Sequence, residues 1–215
     1  MMENNEYIYI VLIKALTGLG KLSREISKYE YTHIAISLDE NLNDFITFSR
    51  KNHYSPFDAG FMHEKREHYA FGKNEKVKTK IFKVPILKKD KEKIIDYITK
   101  IENDNEYIFN LFSMITMPIF HGVKIYKALN CMSFVSKVIE LSDSVKMKKE
   151  YYKYSIKEVD KLLENYLMKE EYLYKEKEDN KYMSKNGVIF NLKMFFKLNG
   201  QLIYRILFKR KDSYE

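Results

Sequence analysis

Asn130-Cys131-Met132-Ser133-Phe134-Val135-Ser136-Lys137-Val138-Ile139-Glu140 carries the only cysteine in a chain of 215 residues. Residues 131, 134, 135, 138 and 139 are apolar and recur at i, i+3, i+4 and i+7, the spacing of a helix that buries one face, and Asn130 is a good N-cap. The pattern puts the thiol on the first turn of that helix, on the stripe that faces the core. There the positive end of the helix dipole favours thiolate over thiol, a setting for a nucleophile. A lone cysteine on a core stripe is equally readable as a small buried hydrophobe. What decides between the two is the group that folds beside it.

Upstream, Tyr31-Thr32-His33-Ile34-Ala35-Ile36-Ser37-Leu38 alternates as a strand. Ile34, Ile36 and Leu38 share one face; His33, Ala35 and Ser37 share the other. Two small residues beside a histidine leave room for another element, and a helix N-terminus fits that space. Asp39 to Asn43 has turn chemistry and Asp44 to Ser49 returns as a strand, giving a hairpin. With the turn centred near Asn41, His33 faces Ser49. A slip of two residues would bring Thr47 there instead, because only even slips keep the face.

The rest of the chain supplies the frame. Glu6 to Ile13 reads as a buried strand, and Ala15 to Ser27 as a helix weakened by Gly18 and Gly20. Arg50 to Gly60 is a polar loop. Lys78 to Leu87 is a strand, with Pro85 marking an edge or a strand end. Asp90 to Ile101 is an amphipathic helix, and Asn105 to Thr116 is helical up to Pro118. Ser155 with Glu158 forms a capping box, and Glu171 to Tyr174 closes the domain as a last strand.

Length suits one domain with an appendage. From Lys175 the chain turns charged, and then Val188 to Phe208 is strongly apolar, with Lys193, Lys197 and Arg205 interspersed, before Lys209-Arg210-Lys211. Those charges and Gly200 argue against a spanning helix. An interfacial amphipathic segment is one reading; packing back on the domain or on a second subunit is the other. The acidic, polar start lacks the features of a signal peptide, so the expected compartment is the cytoplasm, with peripheral membrane association through 188–211 as the added option.

Few cofactor chemistries fit. One cysteine excludes a disulfide framework and Cys-rich metal sites, and no His-x-x-x-His spacing occurs. His63 and His68 read as surface residues. Gly18 and Gly20 lack the rest of a phosphate loop, and no nucleic-acid module is recognisable despite a net charge of +8. We therefore expect no metal, no cofactor and no nucleic-acid partner. What remains is Cys131 with His33: an imidazole that takes the thiol proton and a helix start that holds the thiolate.

At these residues the chain resembles the permuted NlpC/P60 cysteine hydrolases, in particular the YiiX/YebB-like group. The likeness runs from about Tyr7 to Lys175. It rests on Tyr31 to Leu38, on Phe48-Ser49-Arg50-Lys51-Asn52 with Pro56-Phe57 and Gly60-Phe61-Met62-His63-Glu64, and on Asn130-Cys131-Met132-Ser133-Phe134-Val135. Papain-like enzymes usually place Cys before His; here His33 comes first, as circular permutation implies. The resemblance implies a papain-like α+β fold over 1–175, with the Cys helix packed on an antiparallel sheet, and leaves 176–215 as a charged linker and basic apolar extension. It makes Cys131 the nucleophile and His33 the general base. The orienting third residue would lie on the strand after the histidine, where our register puts Ser49, with Glu64 the alternative from the following loop. Cys-Met-Ser-Phe stands where many relatives read Cys-Ser-Gln-Phe.

The implied activity is hydrolysis or transfer of an amide or ester through a thioester acyl-enzyme. A peptide, a peptidoglycan fragment or an acyl lipid is the implied substrate. The competing reading is a catalytically weak papain-like module for ligand binding or membrane-surface association, which Ser49 as a feeble orienter would favour.

Overall fold

Glu6–Ile13 (β1), with side chains apolar on both faces, is one of the two central strands of a six-stranded sheet. A strand covered on both sides needs no polar alternation, which is why this run reads as continuous apolar sequence. The computed structural model of the chain describes residues 6–16, 21, 24–25 and 27–209. Within them the fold is mixed α+β. The sheet order is β4-β3-β2-β1-β5-β8, built from β2 (His33–Ser37), β3 (Phe45–Arg50), β4 (Ala59–Glu64), β5 (Lys76–Ile86) and β8 (Leu167–Tyr174) around β1. Every pairing in it is antiparallel. A short parallel pair, β6 (Ile108–Phe109) with β7 (Ala128–Leu129), stands apart. The helices are α1 (Lys88–Asn103), α2 (Leu111–Phe120), α3 (Cys131–Leu141), α4 (Ile156–Leu162) and α5 (Val188–Phe208).

The two faces of the sheet carry different cores. Ile8, Ile10 and Leu12 of β1 join Ile34, Ile36 and Phe48 in the larger core, which also takes the apolar stripe of α3. Tyr9, Val11 and Ile13 point the other way, with Ala35, Phe45 and Tyr69. Ile36 pairs with Ile46, the register expected from a turn centred near Asn41, and continuing it sets His33 level with Ser49.

Several expectations change in detail. The segment 59–64, read only as the end of a loop, is β4, and it completes the sheet edge beside β3. Pro85 lies inside β5 opposite Tyr7, past the point where β8 ends its pairing at Phe82, so the strand has a single neighbour there. The helix expected from Asn105 starts only at Leu111, where the Asn110 side chain accepts from Ser113 N–H, and it runs through Pro118 to Phe120. The helix expected over 15–27 falls largely outside the described residues.

Residues 175–187 lie along the domain surface as a strap. His53 N–H donates to the Tyr182 carbonyl, Asn52 donates to the Lys181 carbonyl and the Ser184 hydroxyl, and Asn186 donates to the Ser55 hydroxyl. His68 is buried rather than on the surface: its ring stacks on Tyr182 at 4.4 Å and meets Asp179 at 3.2 Å. Its expected surface role fails because the strap, 110 residues further on, folds over it.

Candidate active site

The helix α3 starts at Cys131 because its first turn is closed by its own side chains. Asn130 Oδ1 accepts from Ser133 N–H at 2.9 Å, and Ser133 Oγ accepts from Asn130 N–H at 2.9 Å, a capping box. These bonds use two of the four backbone donors that a helix start leaves over. The N–H groups of Cys131 and Met132 are the two still uncommitted. They point to the positive end of the helix, beside the thiol.

Phe134 of α3 packs against Phe48 at 5.6 Å and Phe61 at 6.0 Å, on the Ile34 and Ile36 side of the sheet. The Cys helix therefore does not fill the space beside Ala35 and Ser37. Its stripe of Phe134, Val135, Val138 and Ile139 gains more by burying against isoleucines than against two small residues. Tyr69 covers the small-residue side instead, edge-on to Phe45 at 5.1 Å and 5.9 Å from the His33 ring. His33 is the first residue of β2, so its ring meets the thiol at the strand end, not across the face of the sheet.

Around the imidazole the partners are ordered. Nε2 lies 2.8 Å from Glu64 Oε2, and the Cys131 side chain is near enough to the ring to favour its charged form. Glu64 closes β4 and is 2 % exposed, which would be costly for a carboxylate without partners. It has three: His33, Ser49 Oγ donating to Oε1 at 2.6 Å, and Tyr69 Oη donating to Oε2 at 2.8 Å. Burial raises its pKa, but the His33 charge and these hydrogen bonds outweigh burial and hold it below the usual carboxylate range. For His33 burial opposes the charged ring; the Glu64 charge, the Cys131 side chain and the bond to Glu64 overcome that and raise its pKa. Tyr69 is pushed well above the ordinary phenol value, first by burial and then by Glu64, so it stays a donor.

Since an ionised carboxylate only accepts, Nε2 carries the hydrogen toward Glu64. The expected constellation of Cys131, His33 and Ser49 is thus brought together, with one rearrangement. The group bonded to the ring is Glu64, and Ser49 stands one bond further out, donating to that carboxylate. Thr47, the slip alternative, is occupied elsewhere, its hydroxyl donating to the Ile34 carbonyl at 2.8 Å. Tyr69 went unread because no local pattern marks it: a single helical turn at Arg66–His68 returns the chain so that its phenol reaches Glu64.

Cys131 keeps 8 % of its surface and the His33 side chain 14 %, so the pair is recessed but not sealed. A groove of about 550 Å³ lies on the neighbouring surface, lined by Lys51, Asn52, Phe61, Met62, His63 and Phe190, and neither member of the pair lines it. Comparison of the chain with family models, with curated proteins and with solved structures finds no match to any.

Proposed function

We propose that this chain is a thiol hydrolase with a papain-like architecture, of the permuted NlpC/P60 kind, in which Cys131, His33 and Glu64 act in series. The observation that carries the reading is the His33 ring bonded through Nε2 to a buried carboxylate and near the thiol at a helix start. The imidazole takes the Cys131 proton, and the resulting thiolate attacks the carbonyl of an amide or ester. The oxyanion of the tetrahedral intermediate is met by the Cys131 N–H, one of the two uncommitted donors of α3. Collapse of that intermediate breaks the bond to the leaving group, which departs with the proton from His33, and leaves a thioester on Cys131. Water then gives a proton to His33, attacks the thioester and releases the acid. Glu64 holds the ring orientation and stabilises the imidazolium. Ser49 and Tyr69 hold Glu64 and count as positioning residues.

The alternative of a weakened binding module drew on Ser49 as the sole orienter, and a carboxylate on the ring removes that ground. Incubation with activated p-nitrophenyl esters, followed by intact-mass analysis, tests the proposal. We expect a burst of nitrophenol and an acyl adduct on the wild-type chain that Cys131→Ala abolishes. No adduct, or an equal burst from Cys131→Ala, would dismiss it.

A further inference from the structure

Helix α5 is bound to the domain along one side only. Leu198 and Leu202 enter the larger core, and the Arg205 guanidinium donates to the carbonyls of Tyr126, Lys127 and Glu106. At 100° per residue the opposite pole is occupied by Ile189, Leu192, Phe196, Ile203 and Leu207. All five are exposed: Ile189 at 85 %, Phe196 at 68 % and Leu207 at 63 % mark the stripe from end to end. A ridge of this length left in water signals an interaction surface. Exposed Lys193 and Lys197 run along one shoulder of it.

The charge is as one-sided as the apolar surface. From Asn180 to Lys211 the sequence has eight Lys or Arg and no Asp or Glu. The whole chain is +8, so this stretch holds the entire excess and the remainder is balanced. No helix among the described residues is long and apolar enough to cross a membrane. A helix fixed to its domain by one side, apolar on the other, with lysines on its shoulder and no acidic residue, has the make-up of one that lies in an interface.

We propose that α5 seats this protein on an anionic phospholipid surface, with Ile189, Leu192, Phe196, Ile203 and Leu207 at the headgroup–acyl boundary and Lys193 and Lys197 on lipid phosphates. A second copy is the poorer occupant. A two-fold interface would set the same cationic stretch against itself, whereas an anionic leaflet neutralises it. The ridge is also convex, and a fluid bilayer moulds to such a shape without a matching groove. This inference stands whether or not Cys131 is a nucleophile.

Flotation of the full chain with phosphatidylcholine vesicles, with and without 30 mol % phosphatidylserine, provides the test. Each basic side chain near an anionic leaflet is worth about fivefold in partitioning, so Lys193 and Lys197 should give a preference of roughly 25-fold or more for the serine lipid, falling in high salt. The double variant Phe196→Asp with Leu207→Asp should lose at least tenfold, with unchanged helical dichroism because both positions face outward. As the chain has no tryptophan, Phe196→Trp gives a single reporter whose emission should shift to the blue on anionic vesicles alone. Absence of binding, equal binding by the double variant, an unshifted reporter, or a stable dimer that the double variant breaks would each overturn the proposal.

Discussion

His33 Nε2 and Glu64 Oε2 stand 2.8 Å apart, with the carboxylate buried and accepting from Ser49 and Tyr69 as well. That arrangement fixes which nitrogen is left for the thiol. It also makes the negative charge of Glu64, not merely its shape, the feature that favours an imidazolium beside Cys131.

Glu64→Gln keeps the shape and removes the charge. The thiolate–imidazolium pair then loses its outer anion, and alkylation of Cys131 by iodoacetamide should slow. At pH 6 the rate constant should fall roughly 10- to 100-fold. Ser49→Ala, which removes one of three donors to the carboxylate, should cost less than about tenfold. Mass spectrometry of the alkylated chain over pH 4–9 reads both. An unchanged profile in Glu64→Gln would mean that the carboxylate only holds the fold.

Stability should depend on pH through the same pair. The depressed Glu64 contributes stability that is present above its unfolded value of about 4.5 and disappears as pH falls through its lower folded value. The raised His33 contributes stability that is complete below its unfolded value of about 6.5 and disappears as pH rises through its higher folded value. The two overlap fully between about pH 4.5 and 6.5. Urea unfolding of wild type and of the double variant Glu64→Gln, His33→Gln should differ most in that window, and the gap should narrow on both sides. A constant gap would show that packing, not charge, separates them.

How much of this was legible depends on whether the deciding contacts are local. The hairpin register followed from the Asp39 to Asn43 turn and the alternation of 33–38, and so brought Ser49 level with His33. The N-cap at Asn130 and the stripe of α3 follow from local spacing, whereas the return bond from Asn130 N–H to Ser133 Oγ was not read. Glu64 was in view only as an alternative, because its reach depends on β4 pairing with β3, and Ala59-Gly60-Phe61-Met62 is a poor strand signal. Tyr69 and the strap over His68 were not legible at all: these contacts join residues that no periodicity links. The small-residue face of β2 was read as a seat for a helix, but net apolar area sent α3 to the isoleucine face.

Gly122 should tolerate no side chain. It follows α2 at φ +85°, and a Cβ there would sit 2.2 Å from the Tyr152 carbonyl oxygen, a backbone atom that cannot swing aside. The turn it makes sets Val123, whose carbonyl accepts from Asn110, the residue that follows β6 and caps α2. Gly122→Ala should therefore lose roughly 2–4 kcal/mol from strain and overlap combined. Urea unfolding would register this as a lower midpoint at unchanged slope. A loss under about 0.5 kcal/mol would show that the Tyr151–Lys153 turn yields.

Asn130 offers a way to separate the fold of the Cys helix from its chemistry. Its Oδ1 caps Ser133 N–H, while Nδ2 is buried without a partner, so Asn130→Asp keeps the capping oxygen and gives up no hydrogen bond. Stability should nonetheless fall by roughly 1–3 kcal/mol, because Asn130 is fully buried and the cap is the one bond that would compensate the new carboxylate for its lost hydration. The new carboxylate is also adjacent to the thiolate, and at an effective dielectric of about 20 should slow alkylation of Cys131 at pH 6 by roughly tenfold. Asn130→Ala should also cost about 1 kcal/mol through the lost cap, but adds no charge and should leave the alkylation rate within about twofold. Were both variants to slow alkylation alike, the helix start would be serving Cys131 only by holding it in place, and charge beside the thiol would have no part in its reactivity.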